Sequence, residues 1–313
     1  MKNLKIAVAQ FEPKNGNKTY NLSVIETLTA KAKSKGAEII SFHELSITAY
    51  TFLKDLRREE LAALAEDVPT GESTQRLIQL AKQYDICILA GLVEKRKEKF
   101  FNTYICVDST GLIAKFSKLH PFIHPDLSAG NEYVVFDLLG WKCGILICYD
   151  NNIVENVRAT TLLGADIIFA PHVTMCTPSS MPGRGYVDDV LWQNRHLDPV
   201  PLRMEFDGLK GRQWLLRWLP ARAYDNGVYY IFSNPIGYDG EHLKNGNSLI
   251  LDPYGDVLTE VKSFENEIAI ATITPDKLKL AGGYRYRNAR RPELYRDILG
   301  RENDSDTKPV WMK

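Results

Sequence analysis

The first half of this chain alternates short apolar runs with stretches of helical period, and that rhythm leaves few folds open to it. Ile6-Ala7-Val8-Ala9-Gln10, Ala37-Glu38-Ile39-Ile40-Ser41-Phe42 and Ile86-Cys87-Ile88-Leu89-Ala90-Gly91 read as strands. Between them, residues 21–35 carry Leu22, Ile25, Leu28 and Ala32 on one side, with Gly36 as the stop. Residues 73–84 read as a second helix with Ser73 as its N-cap. Units of this kind build sheets covered by helices, a layered α/β architecture. Asn102 to Val107 and Leu112 to Phe116 flank Asp108-Ser109-Thr110-Gly111 and read as a hairpin. A helix over 155–163 and strands over 166–170, 228–233, 248–251 and 267–273 continue the pattern, with Asp252-Pro253-Tyr254-Gly255 as a turn.

Residues 172–219 break the rhythm. They are rich in Pro, Gly, Arg and Trp and read as a long loop inserted into a single domain spanning 1–300, with 301–313 as a polar tail. A loop of that length inside a layered domain is a functional or interface element.

Charge and cysteine usage exclude several classes. Lys+Arg and Asp+Glu stand at 39 each, so no global field draws the chain to nucleic acid or to an anionic membrane. No apolar run is long enough to span a bilayer, and the first residues enter a strand without a signal-peptide core. Five cysteines, with no CxxC pair and no zinc-like spacing to His, argue for a reducing cytoplasm without structural disulfides. Six scattered His residues with no HxH or HExxH give no metal site, and no cofactor is expected.

Chemistry gathers where strands end. Gly144-Ile145-Leu146-Ile147-Cys148 stops abruptly before Tyr149-Asp150-Asn151-Asn152 and a helix-like stretch. A thiol at that address suits a nucleophile, because the backbone fixes the sulfur and the following N–H groups can face an oxyanion. The plain alternative is a small, inert core residue. Glu44 follows the strand over 37–42, and Lys118 follows the strand over 112–116. Taken singly, the first reads as a solvated strand-end carboxylate before it reads as catalytic, and the second as a surface lysine.

Taken together and in that order, Glu44, Lys118 and Cys148 resemble the Glu-Lys-Cys triad of the nitrilase superfamily of carbon–nitrogen hydrolases. Further blocks carry the resemblance: Asn21-Leu22, Gly91-Leu92-Val93-Glu94, Ala221-Arg222-Ala223-Tyr224-Asp225-Asn226-Gly227-Val228-Tyr229, Ser233-Asn234, Gly246-Asn247-Ser248 and Arg290-Arg291-Pro292-Glu293-Leu294-Tyr295. The resemblance implies a four-layer α-β-β-α sandwich, pairing into a homodimer or higher homo-oligomer, and an amidase or N-carbamoyl amidohydrolase type of activity. The partners it implies are a small amide or carbamoyl compound and water. In that reading Glu44 is the general base, Cys148 forms a thioester, and Lys118 with the Tyr149 backbone N–H stabilises the oxyanion. A nitrilase working through a thioimidate and a catalytically inactive binding member of the fold are the alternative readings.

Several positions depart from the family pattern. His43 stands where Pro is common before the Glu, and Thr48-Ala49-Tyr50 stands where Thr-Gly-Tyr is frequent. Glu155 matches the Glu that follows the nucleophile in many members, but the Pro before it is missing. Many members carry a second active-site Glu between Lys and Cys. Here that place offers Asp126 or His124, and Glu132 comes too late. For the substrate, Tyr50, His172 and Arg184 are the further candidates. Arg184, between Gly183 and Gly185, either clamps a carboxylate or solvates the loop. His172 follows the strand over 166–170 and either meets ligand or makes a structural hydrogen bond.

Overall fold

The computed structural model of the protein describes residues 1–174 and 185–302. Its strands are β1 Leu4–Gln10, β2 Ile39–Ser41, β3 Cys87–Arg96, β4 Lys99–Asp108, β5 Gly111–Ser117, β6 Val135–Leu138 and β7 Trp141–Ile145. They continue as β8 Ile167–Pro171, β9 Tyr229–Ser233, β10 Ile236–Asp239, β11 His242–Asn245, β12 Leu249–Leu251, β13 Val257–Glu260 and β14 Glu267–Ile273. The helices are α1 Lys18–Ser34, α2 Arg58–Leu64, α3 Glu72–Tyr84, α4 Val154–Leu162, α5 Asp189–Gln193, α6 Pro199–Asp207, α7 Arg212–Leu215, α8 Leu219–Asn226, α9 Asp276–Leu280, α10 Gly282–Asn288 and α11 Arg296–Leu299.

Two six-stranded sheets result, ordered β14-β1-β2-β3-β4-β5 and β13-β12-β9-β8-β7-β6. Each has a parallel centre, β1-β2-β3 or β7-β8-β9, with antiparallel strands outside it. Parallel strands are covered on both faces, which is why β8 and β9 are apolar and buried throughout. Strand period places the layers. Ile6 and Val8 of β1 join the core between the sheets, whereas Ala7 and Ala9 join Ile25, Leu28, Leu77 and Leu80 of α1 and α3 in the outer core. On the other side α4 and α8 pack together, and α8 contacts β9. The order of layers is α-β-β-α.

Local endings follow ordinary chemistry. Asn17 caps α1 by accepting from Tyr20 N at 3.0 Å, and α8 stops at Gly227 with φ +63°. Ser73 is not the N-cap of α3. The helix already begins at Glu72, and the Ser73 N–H and hydroxyl both donate to the Glu66 carboxylate, at 2.8 and 2.7 Å. An acid from the preceding segment satisfies the positive end of the helix instead.

The stretch read as a long loop is corrected most. Its described part, from 185 onward, contains α5, α6 and α7, and Trp192, Leu202, Phe206 and Leu215 are buried in the main core. Short helices broken by Pro and Gly gave no sustained apolar period to read. No helix among the described residues is long and apolar enough to cross a membrane.

Candidate active site

The ends of β2, β5 and β7 lead to one buried spot. Glu44 lies three residues beyond β2, inside a turn where Leu45 and Ala49 take φ of +47° and +67°. That turn is pressed against β3: Ile47 N donates to Gly91 O at 3.0 Å and Gly91 N donates to Ser46 Oγ at 3.2 Å. A Cβ on Gly91 would lie 2.3 Å from Leu45 N, so only glycine admits this approach. Lys118 directly follows β5 and is fixed by its N–H, which donates to Asn102 O at 2.9 Å. Cys148 lies three residues past β7 at φ +48°, where a short helical turn over 148–152 begins. A left-handed non-glycine residue costs about 1–2 kcal/mol, and such strain persists where the surroundings over-determine it.

Lys118 Nζ donates to Glu44 Oε1 at 2.6 Å, and the two side chains are 1% and 0% exposed. Asn102 Nδ2 donates to the same oxygen at 2.6 Å. Among the described residues Glu44 Oε2 has no hydrogen-bond partner, and Cys148 lies close enough to favour the ionised carboxylate. Burial raises the Glu44 pKa above the ordinary carboxylate value, against the pull of Lys118, Asn102 and Cys148. Burial alone would lower Lys118. The charges of Glu44, Cys148 and Asp150 outweigh it and hold the ammonium above its usual value. The cluster therefore keeps a fixed cation beside a carboxylate with a strengthened hold on its proton.

Aromatic groups wall the cation. Its Nζ lies 5.3 Å from the Tyr50 ring centroid and 4.8 Å from that of Phe122. Tyr50 is buried with no hydrogen-bond partner on Oη among the described residues, and burial, with the charges of Glu44, Cys148 and Asp239, pushes its phenol well above the usual range. The Tyr149 ring stands edge-on to Phe122 and His120. Cys148 Sγ lies 4.0 Å from Val173 O, next to His172. The His172 ring packs on Phe232 and Trp218, and its Nδ1 meets Ala170 O at 2.9 Å.

The two candidates for a second acid are engaged elsewhere. Asp126 pairs with Arg58 at 2.7 Å. His124 Nδ1 accepts from Asp126 N at 3.1 Å, and its Nε2–H donates to Leu56 O at 2.9 Å. These contacts brace the loop after Lys118 against the segment leading into α2. Arg184 lies outside the described residues. Sequence reasoning passed over Asn102 and Asp150. An Asn within the apolar run Phe100-Phe101-Asn102-Thr103-Tyr104-Ile105 is a misfit in a buried strand, and that was the available signal.

The chain belongs to the carbon-nitrogen hydrolase family, whose profile matches residues 5–282. Its relatives in that family bear the names of a nitrilase and of amidases. A protein of Pyrococcus abyssi named nitrilase is 29% identical over 86% of this chain and 89% of its own length. A 2-oxoglutaramate amidase of Bacillus subtilis is 31% identical over 82% of this chain and 85% of its own. An amidase from Nesterenkonia sp. AN1, solved as a double mutant in complex with acrylamide, superposes with TM-score 0.70 at 21% identity. It covers 95% of this chain and 97% of that one. The likeness to that structure extends to the nitrilase-type sandwich.

Proposed function

We propose that the protein hydrolyses a linear amide or N-carbamoyl compound through a thioester on Cys148. Glu44 takes the thiol proton as the sulfur attacks the carbonyl carbon. The oxyanion that forms faces Lys118 Nζ and the Tyr149 backbone N–H. As the C–N bond breaks, Glu44 returns the proton to the departing amine. Water, deprotonated by the same carboxylate, then splits the thioester and releases the acid. Tyr50 Oη and His172 are the proposed substrate contacts. The observation that supports this reading best is the fully buried Lys118–Glu44 pair at 2.6 Å, with the buried Cys148 near enough to both groups to shift their titration.

An ammonia-release screen over aliphatic amides, N-carbamoyl amines, ω-amides of dicarboxylates and nitriles tests the substrate class. Turnover of nitriles alone would replace the amide reading with a nitrilase, the name borne by the Pyrococcus abyssi relative. Lys118→Ala should lower kcat by roughly 10²–10³-fold, the scale of losing one oxyanion donor. A Lys118→Ala protein that stays folded and active to within a few-fold removes the assigned role. The exposed Val154, Leu162, Leu163 and Leu299 on and beside α4 support association with a second copy of the chain, which light scattering tests.

A further inference from the structure

Asp150 takes no part in the chemistry above, yet its buried carboxylate joins two of the groups that do. Oδ1 accepts from His120 N at 3.0 Å and from His120 Nδ1 at 2.9 Å. Oδ2 accepts from Leu119 N and from Ile147 N, both at 3.2 Å. Three of these N–H groups belong to the segment directly after Lys118. The fourth belongs to the residue directly before Cys148.

The two segments leave different sheets. Lys118 follows β5, at the edge of the first sheet, and Cys148 follows β7 in the second. Behind the nucleophile turn, Arg222 Nε donates to Asn151 O at 2.9 Å, and Asn156 Nδ2 donates to Asp150 O at 3.0 Å. Helices covering the second sheet thus anchor the turn from the rear, and the Asp150 side chain ties its front to the first sheet. The tie matters because Cys148 is held at φ +48°, a conformation that relaxes when its supports are lost.

We propose that Asp150 is a positioning residue that sets the separation of the Lys118 ammonium and the Cys148 thiol across the two sheets. The inference rests on the Glu44–Lys118–Cys148 reading. A carboxylate offers acceptors on both oxygens, which four converging N–H groups require. An amide keeps one acceptor and turns an NH₂ group toward N–H donors, so Asp150→Asn breaks one side of the tie. A displacement of about 1 Å at reacting groups costs on the order of 10²-fold in rate.

The test is alkylation of Cys148 by iodoacetamide at neutral pH, followed by peptide mass mapping and read beside the thermal midpoint. Asp150→Asn should slow modification of Cys148 by about 10-fold or more, because the thiol drifts from its base. A lowered midpoint with an unchanged alkylation rate makes Asp150 a scaffold residue only and overturns the proposal. Should Asp150→Asn not fold, His120→Phe removes one arm and keeps a ring against Tyr149. A few-fold slowing is then expected, and no slowing overturns the proposal. Glu44→Gln in the same assay separates the two levels of inference. An unaffected Glu44→Gln defeats the triad reading itself. A slowed Glu44→Gln beside an unaffected Asp150→Asn defeats only the positioning role.

Discussion

His43, the residue before Glu44, shows how one side chain can tie the proposed site to the stability of the whole protein. It is fully buried against Phe11, and its Nδ1–H donates to Glu44 O at 2.9 Å. Burial lowers its pKa from 6.5 to about 4, with the bond to Glu44 O and the charge of Asp239 opposing. The unfolded chain therefore takes up a proton near pH 6.5 that the folded protein refuses until about pH 4. Its contribution to stability is complete above pH 6.5 and drains away as pH falls toward 4. The full loss is about 3 kcal/mol, taken at 1.36 kcal/mol per unit. His43→Gln keeps an N–H donor and cannot titrate. Urea unfolding at pH 7 and pH 4.5 should show the wild type losing most of that amount relative to the variant, and parallel losses would refute the account. At this scale the sequence revealed the reactive types at strand ends. It did not reveal Asn102 or Asp150, because a hydrogen-bonding role in a buried cluster depends on which segments meet.

The turn over 43–49 is the element on which the carboxylate depends. It folds back on itself through Ala49 N to Leu45 O at 2.8 Å and Thr48 N to Leu45 O at 3.1 Å. Ala49 occupies the left-handed region at φ +67°. Its Cβ makes that conformation costly, by about 1–2 kcal/mol, part of which glycine returns as extra freedom of the unfolded chain. Ala49→Gly should stabilise the protein by roughly 0.5–1 kcal/mol, read as a higher urea midpoint at constant m. A lower midpoint would show that the methyl group packs for more than its strain costs. The strands were legible because burial on both faces leaves continuous apolar runs. The turn was not, since its positive φ angles fall partly on Leu45 and Ala49, residues that seldom adopt them.

Across the whole molecule, the inserted region changes what the core is. Phe206 of α6 is fully buried, with ring centroids 6.4 Å from Trp192 and 5.8 Å from Phe264. Phe206→Ala should cost about 3–5 kcal/mol, the scale of a large core truncation, measured by chemical denaturation. A cost under about 1 kcal/mol would return the region to the status of a surface loop. From sequence alone, alternating units and strand-end Glu, Lys and Cys determined the layered α/β class and the residue types of the proposed chemistry, because periodicity and local order are written along the chain. Tertiary structure decided which sheet each group leaves, that Lys118 meets Glu44 rather than water, that Asp126 and His124 turn to bracing, and that the insertion belongs to the core. Those outcomes depend on contacts between residues far apart in the chain, and only packing of one sheet upon the other brings them within hydrogen-bonding distance.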